Sequence, residues 1–91
     1  MHLEIVSPEA KLFSGEVESL KVPGASGSFQ VLNNHAPIVS TLIKGQVRIQ
    51  GNLKLDETNQ ALFTQEGANT FFDIQSGALE MRDNKVILLT D

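Results

Sequence analysis

Two histidines, His2 and His35, are the side chains of this sequence best suited to proton transfer or metal ligation. A histidine metal site needs several ligands on one face, and neither ring has a second imidazole or a thiolate near it in sequence. The chain has no cysteine, which removes disulfides, thiol nucleophiles and cysteine-based zinc sites. Serines and acids are plentiful, yet no G-x-S-x-G nucleophile elbow occurs. The carboxylates include Asp56-Glu57, Glu16 with Glu18, and Glu80 with Asp83. Paired acids can support glycosidic hydrolysis or bind calcium, but nothing in the sequence marks a cleft, and a solvated face is the simpler reading. The stretch PGASGS, 23 to 28, is glycine-rich, and a phosphate loop would need a lysine after its last glycine and a helix behind it. Gly27 leads instead into Ser28-Phe29-Gln30-Val31, a strand pattern. No catalytic residue, cofactor site or metal site is expected.

A different kind of candidate lies in GSFQVLNNHAPIVSTL, 27 to 42. A ligand site, a plain turn and a surface pressed against another protein all compete to explain it. Pro37 confines Ala36 to extended backbone and removes one amide donor. Asparagine tolerates the left-handed region, so Asn33-Asn34 is expected to make a tight reversal. Ile38 and Leu42 are expected in the core, with Val39 as a third candidate. Four consecutive residues, Ala36 to Val39, cannot all face inward beside a turn. Some apolar area should therefore stay exposed at one end of the fold, and such patches mark protein contacts. From the residues alone, the bend and the contact surface both stand.

The elements that must position this stretch read as strands. Period-two alternation runs through HLEIV (Leu3, Ile5), SFQV (Phe29, Val31), QVRIQ (Val47, Ile49), NLKLD (Leu53, Leu55) and GALEM (Leu79, Met81), and KVILLT closes the chain. Turn residues fall between them, at Ser7-Pro8, Ser14-Gly15, Pro23-Gly24, Ser26-Gly27, Gly51-Asn52, Glu66-Gly67, Ser76-Gly77 and Asp83-Asn84. No segment carries a sustained helical stripe. The expected fold is all-β, a sandwich or barrel of antiparallel strands with little or no helix. In EVESLKV the apolar residues Val17, Leu20 and Val22 switch parity, and a bulge near Glu18-Ser19 would return all three to the core face. The polar run 52 to 70 is read as a long hairpin or a mobile loop.

Ninety-one residues suit a single domain, 1 to 91, and hydrophobic and charged contents of 41% and 20% are those of an ordinary globular chain. A net charge of −4 disfavours nucleic acid as a partner. The seven basic residues are scattered singly, so no polybasic patch aims at a membrane surface. The opening MHLEIVSPEA lacks the features of a signal peptide, and no window approaches the roughly 18 apolar residues of a membrane helix.

The stretch 27 to 42 closely resembles the signature of the epsilon subunit of F-type ATP synthases (delta in mitochondria), within its N-terminal β-sandwich. The likeness extends to LEIVSPEAKLFSGEVESLKVPG at 3 to 24, KGQVRI at 44 to 49 and FDIQSGALEMRDNKVILLTD at 72 to 91, leaving out 51 to 70. It implies a flattened sandwich of about ten strands in two sheets. It also implies a non-catalytic rotor subunit that binds the gamma subunit and sits on the ring of c subunits, coupling ion-driven rotation to ATP synthesis. By this resemblance, the end carrying Ser28 and the turn Asn33-Asn34-His35-Ala36-Pro37, with Ile38, faces the c ring and the foot of gamma. Ser7 and Ser40 match gamma-facing positions, and His35 becomes a packing residue. Serine at 28 stands where relatives often carry an acid, and Asn33-Asn34 where they carry Pro-Gly or Pro-x. Relatives usually continue into two helices, so a short form without the helical domain is expected. The implied location is peripheral, on the cytoplasmic face of a bacterial inner membrane, with membrane association only through the complex. A freestanding ligand-binding or adaptor module is the alternative.

Overall fold

Wherever the sequence alternates apolar and polar residues, the backbone is extended, with one exception. The computed structural model describes residues 1–91 as ten strands and one 3-10 turn. The strands are β1 (His2–Val6), β2 (Lys11–Glu16), β3 (Ser19–Gly24), β4 (Gly27–Leu32), β5 (Ile38–Leu42), β6 (Gly45–Gln50), β7 (Phe63–Glu66), β8 (Asn69–Ile74), β9 (Gly77–Arg82) and β10 (Lys85–Thr90). Of the alternating residues named from sequence, Phe29 is half-buried, while Leu3, Ile5, Val31, Val47, Ile49, Leu79 and Met81 are buried, as are Val86 and Leu88 of KVILLT. The buried ones belong to one core cluster of 20 apolar residues.

Hydrogen bonding joins all ten strands into one curled sheet, a half-barrel, in place of the two separate sheets expected. One half runs β2-β1-β10-β9-β5, and the other holds β3, β6, β8 and β7 with β4 paired to β3. A single register pair, Gly24 with Leu42, bridges β3 to β5 and connects the halves. Flanking bonds from Ala25 N–H to the Thr41 carbonyl and from Ile43 N–H to the Pro23 carbonyl, both 2.9 Å, reinforce that corner. Nor are the strands all antiparallel, since β1 pairs in parallel with β10. Parallel neighbours need a long connection, and these two strands have almost the whole chain between them.

The parity switch in EVESLKV is a corner, not a bulge. β2 ends at Glu16 and β3 begins at Ser19. Between them the Val17 N–H donates to the Met1 carbonyl at 2.9 Å and the Glu18 N–H to the Gln50 carbonyl at 2.8 Å. The chain thus leaves one half of the sheet for the other within two residues, which keeps Val17, Leu20 and Val22 buried without an inserted residue in either ladder. A register shift does occur between β1 and β2, at Ile5/Val6.

The exception is NLKLD. Leu53 is buried and Leu55 packs against the core, but no strand forms there. Both edges of the preceding β6 are already taken, by β3 and β8, and the segment that follows joins no ladder. The run 52 to 70 is thus an irregular crossing, the 3-10 turn Gln60–Leu62, and the edge strand β7 returning to β8 through Gly67 at φ 61°. Phe63 and Phe72, register partners, stack with ring centroids 5.1 Å apart and anchor that edge.

Candidate interaction surface

Leu32-Asn33-Asn34-His35 closes a β-turn through the His35 N–H and the Leu32 carbonyl at 3.1 Å. Asn34 takes φ 61° while Asn33 does not, the asymmetry of a type II turn, which asparagine can satisfy at its third position. The ring of His35 folds back on its own backbone, Nδ1 donating to the Ala36 carbonyl at 2.8 Å. That contact occupies one ring nitrogen, and no acid stands beside the other. The contact holds the ring against the entry to Pro37. Ala36 and Pro37 are both exposed.

Strand β5 then divides the following residues by parity. Ile38, Ser40 and Leu42 face inward, with Leu42 buried and Ile38 packed against the core. Val39 points outward and is 83% exposed, the most exposed large apolar side chain of the chain, and Leu32 before the turn is 53% exposed. An apolar tip facing solvent, anticipated from the sequence, is therefore present, while Val39 is no core residue.

The other expected contact residues are distributed elsewhere. Ser28 stands at the opposite end of β4 from the turn, five residues or about 16 Å along the strand from Asn33. It lines an open groove of about 610 Å³ between β4 and β5, together with Phe29, Ile38, Val39 and Ser40. No ionisable side chain lines this groove. Ser40 donates to the Thr41 carbonyl at 3.2 Å. Ser7 lies beyond the far end of β1, where its hydroxyl and backbone close a small loop onto Ala10. The structure groups Asn33 to Pro37 as one tip, sets Ser28, Ile38 and Ser40 around the groove, and leaves Ser7 remote from both.

One feature of this surface escaped the sequence reading. Residues paired across neighbouring strands share a face, and the outer face of the β1-β10-β9-β5 half carries Val6, Leu89, Ala78 and Thr41 in one row. The adjacent row holds Ile87 and Val39, interspersed with Glu4 and Glu80. Leu89 is 50% exposed. The signal was available in KVILLT, where four successive apolar residues, Val86 to Leu89, make a strand apolar on both faces. Such a strand asks for cover on both sides.

Several ionisable side chains form partly exposed pairs. His2 Nδ1 lies 3.1 Å from Glu16 Oε2, and Lys11 Nζ lies 3.3 Å from Glu4 Oε1, all on the exposed side of β1 and β2. Glu16 and Glu18 fall on either side of the strand corner and do not share a strand. No group of three or more His, Asp or Glu side chains is placed to hold a metal ion. No helix is long and apolar enough to cross a membrane.

Residues 1–91 match the ATP synthase delta/epsilon chain β-sandwich domain over their whole length. The chain belongs to this family. Among curated relatives, it is 37% identical over 92 residues to the ATP synthase epsilon chain of Caulobacter vibrioides, covering all of this chain and 90% of that one. It is 38% identical over 89 residues to that of Chlorobaculum tepidum, covering 98% of this chain and 86% of the relative. Against the epsilon chain of Leptospira borgpetersenii it is 37% identical over 91 residues, but spans only 61% of that longer protein. The fold recurs in the central stalk and c-ring structure of the Tetrahymena thermophila mitochondrial ATP synthase, with a TM-score of 0.74 at 11% identity, over 98% of this chain and 61% of that one. It recurs again in the Euglena gracilis mitochondrial enzyme, with a TM-score of 0.72 at 18% identity, over 97% of this chain and 48% of the other.

Proposed function

We propose that this chain is an epsilon-type subunit of the ATP synthase central stalk, linking gamma to the ring of c subunits so that ion-driven rotation reaches the catalytic head. The observation that carries this reading is the match along nearly the full length of bacterial ATP synthase epsilon chains. The geometry supports it in two ways. At the tip Asn33 to Pro37 and just beyond it, Ala36, Pro37 and Val39 present apolar surface to solvent, and the proline ring lowers the ordering cost when it is covered. The outer face of the β1-β10-β9-β5 half adds further apolar side chains that are at least partly exposed, Val6, Ile87 and Leu89, interspersed with Glu4 and Glu80. In this reading the tip meets the c ring and the foot of gamma, while the outer rows, with Ser40 behind them on β5, face gamma. The chain makes and breaks no bonds and is held at the cytoplasmic face of a bacterial inner membrane through these partners.

Co-purification tests it. A tagged chain recovered from detergent-solubilised native membranes should bring gamma and c subunits together, and membranes carrying Ala36→Asp should hydrolyse ATP with reduced ion pumping. Recovery of the tagged chain without either subunit, or fully coupled Ala36→Asp membranes, would refute the assignment.

A further inference from the structure

The tip turn does not hold itself in place. Its one internal backbone bond runs from His35 N–H to the Leu32 carbonyl, and residues 32 to 37 are all exposed. Its other hydrogen bonds come from outside, from the Met1 ammonium and from the β9–β10 turn, far away in sequence. There Asp83 and Asn84 take φ of 53° and 58°, two successive left-handed residues as in a type I′ hairpin. The Asn84 carbonyl accepts the His2 N–H at 3.1 Å, which fixes this turn to the start of β1.

From that fixed backbone, the Asn84 carboxamide spans to the tip. Its Oδ1 accepts the Asn34 N–H at 2.7 Å, and its Nδ2 donates to Asn33 Oδ1 at 2.9 Å. The Met1 ammonium donates to the same Asn33 oxygen at 3.0 Å. One planar amide thus spends its acceptor and its donor on two successive residues of the turn. Few side chains could do this, because the position demands both left-handed backbone and a short side chain bearing donor and acceptor. Glycine would supply only the backbone, and aspartate only the acceptor.

We propose that Asn84 is a positioning residue for the contact surface, locking the 32–35 turn in the form that presents Ala36 and Pro37. The inference rests on the contact role assigned to that tip above. A surface turn with one internal bond samples alternative forms, and each must be excluded when the partner binds. Two bonds from a rigid hairpin exclude them beforehand, so the ordering cost at assembly falls.

The test uses the full chain and two variants. Asn84→Gly keeps the left-handed backbone and removes the carboxamide. Asn84→Asp keeps the acceptor for Asn34 and loses the donor to Asn33. Amide exchange at Asn34 by NMR, the urea midpoint, and dissociation from a purified gamma–c-ring subcomplex are read together. In Asn84→Gly, the midpoint should hold while Asn34 exchanges on the order of tenfold faster and dissociation speeds by a similar factor. Asn84→Asp should recover the Asn34 protection and much of the residence time, a rescue that general destabilisation would not show. Unchanged Asn34 exchange in folded Asn84→Gly overturns the positioning role, whatever happens to binding. A loosened turn with unchanged dissociation leaves the positioning intact and refutes the contact role instead. If Asn84→Gly fails to fold, Asn84→Asp decides, because loss of Asn34 protection with the acceptor retained also overturns the proposal.

Discussion

Replacing Val39 with lysine separates contact from folding more cleanly than any other change at the tip. Val39 is 83% exposed on the outer face of β5, so the free chain gains almost nothing from its methyl groups. Directly across the ladder stands Glu80. A lysine at 39 would face that carboxylate, a cross-strand pairing worth about 0.2–1 kcal/mol, which offsets lysine's lower strand preference of similar size. The folded state should therefore change by no more than about 0.5 kcal/mol. Covering the valine side chain against a partner is worth about 1.5 kcal/mol, and bringing an ammonium into apolar contact adds about another 1 kcal/mol of penalty. Together these weaken assembly about 30- to 100-fold. Urea unfolding reports the first quantity, and titration of the purified variant against gamma, alone and with the c ring, reports the second. Val39→Lys binding like wild type would refute the assignment of this face to a partner. A loss of more than about 2 kcal/mol in folding stability would refute the claim that Val39 is a surface residue. Ile38→Asp offers no such separation, because Ile38 packs against the core and its loss damages the fold as well.

Three further outcomes are expected. Leu20 is fully buried between Val31 and Ile49 on its paired strands, so Leu20→Ala should cost about 3 kcal/mol and lower Tm by about 12 °C or more, checked by calorimetry. Gly77 begins β9 against the end of β10, where a Cβ would run into the Leu89 carbonyl oxygen. Gly77→Ala should therefore push the strands apart at a cost of about 1–3 kcal/mol in urea unfolding, whereas Gly15→Ala, whose added carbon meets only the ring of Phe13, should cost less. At Asp91, partial desolvation raises the carboxyl pKa, but the amides of Ser76 and Gln75 and the Thr90 hydroxyl outweigh it and leave the group below its ordinary 3.8. A carboxyl depressed in the folded state stabilises fully above that ordinary value and ceases to do so as pH falls through the lower folded value. Asp91→Ala should accordingly flatten the acid limb of a Tm-against-pH curve and leave its shape near neutrality unchanged.

The strands themselves were written in the alternation. Leu3 and Ile5, Val47 and Ile49, Leu79 and Met81 each had to face the same way, and a two-residue repeat admits only one backbone that does this. The left-handed Asn34 and the left-handed pair Asp83-Asn84 were equally local, because asparagine and aspartate meet that demand with little strain. The exposed tip followed from counting: four consecutive residues, Ala36 to Val39, cannot all face inward beside a turn. What alternation could not reveal was pairing. That β1 lies parallel to β10, that one pair at Gly24 and Leu42 joins ten strands into a single sheet, and that NLKLD joins no ladder are matters of which strand meets which. Backbone donors and acceptors are the same on every residue but proline, so local pattern says little about which strand pairs with which. The surface shows the same division. Ala36 and Pro37 could be named from the sequence, but that Val39, Ile87 and Leu89 share one outer face is decided only once the strands are set in register. The Asn84 carboxamide reaches Asn34 across 50 positions of chain for the same reason, because tertiary pairing brings the two turns to one end of the fold.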